Sequence, residues 1–336
     1  MDKKRRAALV IAVVCALCLI FVLFHVLKRE DAAQRGYVFD KNSNIKLKDI
    51  EAYFQVVDFR EKNPRDYFQN SAVNRYTLQF LMFLDSNFKE FDNEKDLFGQ
   101  VEKYLHENLP AETADRLFEL YKKFVKYQRT LGERSREWGM PKTTEDAIAL
   151  LHKLQEHRRE IFGKDVADLL FGPSVKAEEY PLRRGAIVAD KNLYGAEKEK
   201  MLRQLNEDMW GEEADQVEAY AEPYVRYKEK LAMYEKDMAE MDEAGKKAKI
   251  RAIREEIFTP EQIQGLEEVD HLIEREQSRE KAYRAKEAEI INDPRLEPTE
   301  KEEKIKKLQD QMYGEEADAL RRRLAIERGA NALWKK

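Results

Sequence analysis

The chain has 336 residues, 38% of them charged, with 13 Gly, 9 Pro and a net charge of −5. Charged helix formers in excess and few turn residues argue against a sheet-rich fold. A net acidic chain also lacks the cationic excess that phosphate backbones demand, which argues against a nucleic-acid partner.

Lys3-Lys4-Arg5-Arg6 stands ahead of an uncharged run from Ala7 to Leu27, which Lys28-Arg29 closes. Roughly 21 residues at about 1.5 Å each reach about 31 Å, enough to cross a bilayer. The basic cluster sets the N-terminus in the cytoplasm, and a cleavable signal peptide carries a shorter apolar core of about 7–15 residues. Residues 1–29 are therefore read as a cytoplasmic basic tip and a single transmembrane anchor. Cys15 and Cys18 lie inside that run, so their C-x-x-C spacing is read as chance and the rest of the chain has no thiol, which suits an oxidising compartment. Residues 1–30 carry six basic and two acidic side chains, and without them 55 basic face 64 acidic, net −9.

Residues 30–50 show little periodicity and read as a tether. Residues 51–138 read as a first small helical domain, with stripes at Tyr76, Phe80, Phe83 and Leu84 and at Leu117, Leu120, Tyr121, Phe124 and Tyr127. Between them Asn93 to Leu109 forms another amphipathic stretch, and Gly132 with Gly139-Met140-Pro141 marks the end of the domain. Residues 139–293 read as an extended helical arm, in which 212–258 would reach roughly 70 Å as one unbroken helix. Residues 294–336 close the chain as a second small helical domain. The fold class expected is all-α: an extended helical scaffold with two small helical end domains behind one N-terminal transmembrane helix.

The second half repeats itself. Met209-Trp210-Gly211-Glu212-Glu213-Ala214-Asp215 recurs as Met312-Tyr313-Gly314-Glu315-Glu316-Ala317-Asp318, and Glu197, Lys198, Glu199, Leu202 and Leu205 ahead of it match Glu300, Lys301, Glu302, Ile305 and Leu308. Fainter echoes start at Ile161-Phe162-Gly163 and at Ile257-Phe258-Thr259-Pro260-Glu261-Gln262. Each copy reads as helix, corner, helix. An aromatic or apolar residue packs down, Gly permits a left-handed turn, and the acids favour the positive end of the next helix. At Thr259 the corner is a capping box closed by Gln262, with Pro260 in the first helical turn.

No catalytic constellation emerges. The chain lacks a Walker loop, a G-x-G-x-x-G loop and a G-x-S-x-G elbow, so no nucleotide, cofactor or metal is expected. His152 and His157 are five apart and fall on different helix faces. The pairs Glu212-Glu213 and Glu315-Glu316 have a sufficient structural reason at helix starts. Aromatics point instead to a protein partner, since Tyr and Phe are enriched at interfaces as well as in cores. Phe80, Phe83 and Leu84 read first as core and second as contact. Tyr224, Tyr227 and Tyr234, on helices with few expected neighbours, are candidates for either role.

The order of these features resembles the lipase-specific foldases, or lipase chaperones. The likeness is carried by Leu109-Pro110-Ala111-Glu112-Thr113-Ala114-Asp115 leading to Leu120-Tyr121-Lys122-Lys123-Phe124, by Arg158-Arg159-Glu160-Ile161-Phe162-Gly163 through Leu170-Phe171-Gly172, and by Lys191-Asn192-Leu193 with the Trp210-Gly211 corner and its copy. The family's signature runs approximately R-x-x-F-D-Y-[FC]-L-S-A-x-G-E. Setting Phe80, Phe83 and Leu84 on it keeps three hydrophobic positions without the acid, the tyrosine or the Gly-Glu, and Arg75 fits after a two-residue shift. The S-L-x-G-T tether motif is absent. The resemblance implies a non-enzymatic, ATP-independent steric chaperone for a secreted lipase. It would sit in the bacterial inner membrane with its bulk in the periplasm, and would contact its client through Arg75, Phe80, Phe83, Leu84, Tyr224, Tyr227 and Tyr234. The rival reading is a cell-envelope scaffold that tethers other components without foldase activity.

Overall fold

The computed structural model describes residues 36–69, 71–88 and 93–334. Every regular element among them is helical: α1 (Leu47–Tyr53), a 3-10 turn (Pro64–Asp66), α2 (Thr77–Phe88), α3 (Glu94–Asn108), α4 (Ala111–Trp138), α5 (Thr144–Phe162), α6 (Lys164–Ala189), α7 (Gly195–Trp210), α8 (Ala214–Ala219), α9 (Pro223–Met233), α10 (Glu235–Ala239), α11 (Glu243–Ile257), α12 (Pro260–Asn292), α13 (Pro298–Tyr313) and α14 (Ala317–Trp334). One 3-10 turn follows α7 (Gly211–Glu213) and another follows α13 (Gly314–Glu316). No described helix is long and apolar enough to cross a membrane. The apolar run of residues 7–27, read as the anchor, lies outside the described residues.

The chain divides into two compact units at Ile253 and Arg254, within α11. In the first, the helical stripes become one core. From α2 it takes Leu78, Phe80, Leu81 and Leu84, from α3 Val101 and Leu105, and from α4 Leu117, Leu120, Tyr121, Phe124 and Tyr127. Phe59 and Phe68 fill in from the loop before α2, and Phe80 lies 5.0 and 4.9 Å from their rings. This core does not stop at Gly139-Met140-Pro141. Phe162, Ala167, Leu170 and Phe171 belong to it as well, with Phe162 and Phe171 5.8 and 5.4 Å from the Tyr127 ring. Gly139, at φ +72°, turns the chain inside a packed unit, and Thr143 then starts α5 with a capping box closed by Asp146.

Residues 212–258 are not one helix. Pro223 holds the preceding residue out of the helical region, and Glu222 sits at ψ 143°. Further breaks separate α9 from α10 at Tyr234 and α10 from α11 at 240–242. α12 does run unbroken, with the Thr259 and Gln262 box in place and Pro260 at its first position. Its unit forms its own core from Tyr283, Leu308, Tyr313, Ala317, Leu320 and Leu324.

Candidate partner-binding surfaces

The sequence repeat is a three-dimensional module, and it is longer than the matched residues suggested. In the first unit Tyr180 of α6 meets Trp210 edge to face at 5.5 Å, and its hydroxyl donates to Asn206 Oδ1 at 2.8 Å. The Lys176 ammonium lies 4.5 Å from the Trp210 ring centre, a cation–π contact. Lys198 donates to the Val188 carbonyl at 2.8 Å, one of the carbonyls that a helix end leaves unpaired. Each of these groups recurs 103 positions later in the second unit. Tyr283 meets Tyr313 edge to face at 5.7 Å, Arg279 lies 4.4 Å from the Tyr313 ring, Gln309 donates to the Tyr283 hydroxyl at 2.9 Å, and Lys301 donates to the Ile291 carbonyl at 2.8 Å. Asp190 and Asp293 end the two long helices with nearly the same backbone angles.

Both corners turn on glycine, Gly211 at φ 57° and ψ −118° and Gly314 at φ 53° and ψ −123°. The positive φ is as expected. The ψ is not that of the left-handed helix, and this part of the map is open to glycine and costly for a residue with a Cβ. The acids after each glycine form one 3-10 turn before the next helix starts.

The tyrosines differ in one respect. Tyr180 accepts from Arg184 at 3.1 Å and gives its proton to Asn206. Tyr283 gives its proton to Glu287 at 2.6 Å and accepts from Gln309. Burial, followed by the Glu287 carboxylate, pushes the Tyr283 hydroxyl up to about 12.

The first module has an occupant. Residues 36–46, expected within a tether, are non-helical but docked on α6 and α7. Gly36 accepts from Arg183 at 3.0 Å, Val38 N–H donates to Glu179 at 3.0 Å, Lys41 N–H donates to the Asp208 carbonyl at 2.8 Å, and Ile45 accepts from Lys176 at 3.0 Å. Leu47 N–H, where α1 begins, donates to the corner acid Glu213 at 3.0 Å. The backbone of the segment is thus read by side chains that are themselves buried, with Lys176 at 1% and Glu179 at 0% exposure. Burial lowers the Lys176 ammonium to about 8, partly offset by Glu213. Phe39 and Ile45 are buried beside Gly172, where an added Cβ would collide with Ile45 Cδ1 and lie 3.2 Å from Phe39 Cζ. Lys176, Glu179 and Arg183 escaped sequence reasoning because charged residues on a helix normally mark its wet face. The available signal was the shared K/R-x-x-x-Y spacing of Lys176-Tyr180 and Arg279-Tyr283.

The contact residues expected from sequence separate into two groups. Phe80 and Leu84 are fully buried, and Phe83 is half-buried with its ring stacked 5.9 Å from Phe80. Phe80 and Leu84 serve the first unit's core and are not presented on its surface, and Phe83 packs against that core while partly exposed. Tyr227 is buried, and so is Tyr234, whose ring lies over Gly195 with Lys249 Nζ 3.4 Å from its centre. Tyr224 is 58% exposed, with Tyr220 and Val225 exposed nearby. Arg75 is exposed and donates to the Tyr76 hydroxyl at 2.5 Å. When the signature is begun at Arg75, its F-D-Y-[FC]-L falls on Leu78-Gln79-Phe80-Leu81-Met82. Gln79 then takes the acid's place and brackets the preceding loop, donating to Tyr53 and Gln55 carbonyls and accepting from Val57 N–H. Met82 on α2 is 56% exposed, and Arg75 lies in the turn that precedes the helix.

One shallow hollow of about 310 Å³ lies between the end of α4 and α5, lined by Arg134, Trp138, His152, Glu156 and His157 among others. His157 is buried and shares a 3.0 Å hydrogen bond with Thr130 Oγ1. Among the described residues no group of three or more His, Cys, Asp or Glu is placed to hold a metal ion.

A family model described as proteobacterial lipase chaperone protein matches residues 120–317, more than half of the chain. The match runs from within α4 to the first residue of α14, so it takes in both corners and leaves out α2. No curated protein matches the chain.

Proposed function

The chain belongs to the proteobacterial lipase chaperone family, and from that premise we propose that it is a membrane-anchored steric foldase for one secreted lipase. The observation that carries the reading is the family match across both repeated corners. The apolar run of residues 7–27 between basic clusters supports an inner-membrane anchor with the bulk of the chain in the periplasm.

Such a protein works by differential binding. It holds a late, near-native arrangement of the client more tightly than the misfolded ones and so raises its population, which needs no phosphate chemistry. The surfaces suited to this are those with side chains left outside the cores: Met82 on α2 with Arg75 in the turn ahead of it, Tyr220, Tyr224 and Val225 around the start of α9, and Val269, Leu272 and Ile273 on α12. Aromatic and arginine side chains of this kind dominate binding energy at protein interfaces.

The test is co-refolding. A lipase encoded beside this chain is refolded with and without the full chain in detergent, and ester hydrolysis is followed. A gain of at least tenfold that Arg75→Ala with Met82→Ala diminishes is expected. Equal recovery with and without the chain, for every neighbouring lipase, would overturn the foldase reading.

A further inference from the structure

The two corners share a frame, but their outer stripes differ. On α6 the stripe that holds residues 36–46 is Gly172, Lys176, Glu179 and Arg183. The equivalent stripe on α12, 103 positions later, is Arg275, Arg279, Ala282 and Lys286. These lie at helical spacing on one face. Arg275, Ala282 and Lys286 are exposed and Arg279 is half-exposed, and nothing lies within 4 Å of a Cβ placed on Gly314, whereas at Gly211 the Lys41 side chain lies 3.3 Å away.

The charges at the second corner respond to this. In the first corner Lys176 donates to a peptide carbonyl and Glu213 accepts a peptide N–H. In the second, Arg279 turns to the equivalent acid, Glu316, at 2.5 Å and to Glu276 at 2.6 Å, while its buried Nε has no acceptor. An unpaired guanidinium donor is costly, and it shows that the carboxylates at hand leave Arg279 incompletely satisfied.

From this pairing we infer that the second corner is a peptide-binding site, and that its occupant is an acidic, non-helical segment of a partner protein. The module fixes how the segment is held: a basic side chain over the corner aromatic takes a peptide oxygen, and the corner acid takes a peptide N–H. The stripe fixes which segment. Where the first corner has no side chain at Gly172 and so admits Phe39 and Ile45, the second has a guanidinium. Where the first has the acid Glu179, the second has alanine. The change from one net positive charge to three along the stripe selects carboxylates over apolar rings. Glu276, Glu280 and Glu316 flank the stripe and set the competition that an occupant must win. The inference stands on the internal repeat and not on lipase activation, so failure to activate any lipase would leave it intact.

Two fluorescent dodecapeptides test it against the full chain in detergent. One is the chain's own residues 36–47, the other the same peptide with Lys41→Glu and Lys46→Glu. Anisotropy titration at low salt should show the acidic peptide binding at least tenfold more tightly. Arg275→Glu with Lys286→Glu, both at exposed positions, should erase that preference, and raised salt should weaken binding. Hydrogen exchange should slow at 275–286 and 311–316 on addition of the acidic peptide. Tighter binding of the unaltered peptide would assign the face to a second copy of this chain and overturn the inference. So would protection confined to the first corner. If the double variant loses helicity, exchange on the unaltered chain decides: protection at 275–286 sustains the site and its absence removes it.

Discussion

Replacing Gly172 by Leu sets two effects of opposite sign against each other. Leucine is a better helix former than glycine by about 0.8 kcal/mol, so α6 itself gains. The new side chain, however, claims the volume held by Ile45 and Phe39, which are buried to 8% and 5% exposure. Undocking them forfeits about 1.5–3 kcal/mol for each apolar side chain. The Lys176–Ile45 and Glu179–Val38 hydrogen bonds go with them, leaving buried charges with fewer partners. After the helix gain, and after partial refilling of the space by leucine, the net loss is about 1–3 kcal/mol. A unit of this size then melts about 2–10 °C lower. Two measurements separate the terms: thermal unfolding by far-UV circular dichroism, and limited trypsin digestion, whose targets Lys41 and Lys46 lie in the docked segment. A variant as stable as the parent and equally resistant at those two lysines would refute the docking of residues 36–46.

Three further outcomes follow. Because the folded Lys176 ammonium sits at about 8 and an unfolded one near 10.5, the unfolded chain binds more protons between those values and stability rises with pH across that window. The gain, at most about 3 kcal/mol, is opposed above about pH 10 by tyrosines such as Tyr121 and Tyr180, whose raised hydroxyls penalise alkaline folding; denaturant titrations of Lys176→Met should lose the rise. Phe80→Ala should cost about 3–5 kcal/mol in denaturant unfolding as a core truncation, whereas Tyr224→Ala should stay within about 0.5 kcal/mol while lowering lipase recovery in co-refolding. Gly314→Ala should destabilise the second unit by about 1–2 kcal/mol through its positive φ, and hydrogen exchange should localise the change to residues 260–327.

Helix content, the amphipathic stripes of α3 and α4, the Thr259 cap and the paired Trp210-Gly211 and Tyr313-Gly314 corners were all legible, because each rests on local spacing or on one residue's backbone preference. What was not legible depends on contacts far along the chain. Residues 36–46 have no periodicity to read, since their hydrogen bonds go to side chains more than 130 positions away. Phe80 and Leu84 carry the same pattern whether their stripe faces a partner or Phe59 and Phe68, and only the loop before α2 decides. The 70 Å length for 212–258 holds only for an unbroken helix, and Pro223, which restricts Glu222 as well as itself, breaks it.

The opposite proton direction at Tyr180 and Tyr283 restricts how these modules can be shuffled. Transplanting residues 298–313 alone onto the place of 195–210 would set Tyr180 between Arg184 and a longer amide, which takes the hydroxyl proton only by turning its oxygen inward, the reverse of its orientation beside Tyr283. A chimera that exchanges a whole long-helix and short-helix pair therefore keeps each amide's orientation, whereas exchange of either helix by itself requires the amide to flip. The side chains at 184 and 206, and at 287 and 309, thus act as pairs that set which way the hydroxyl between them points.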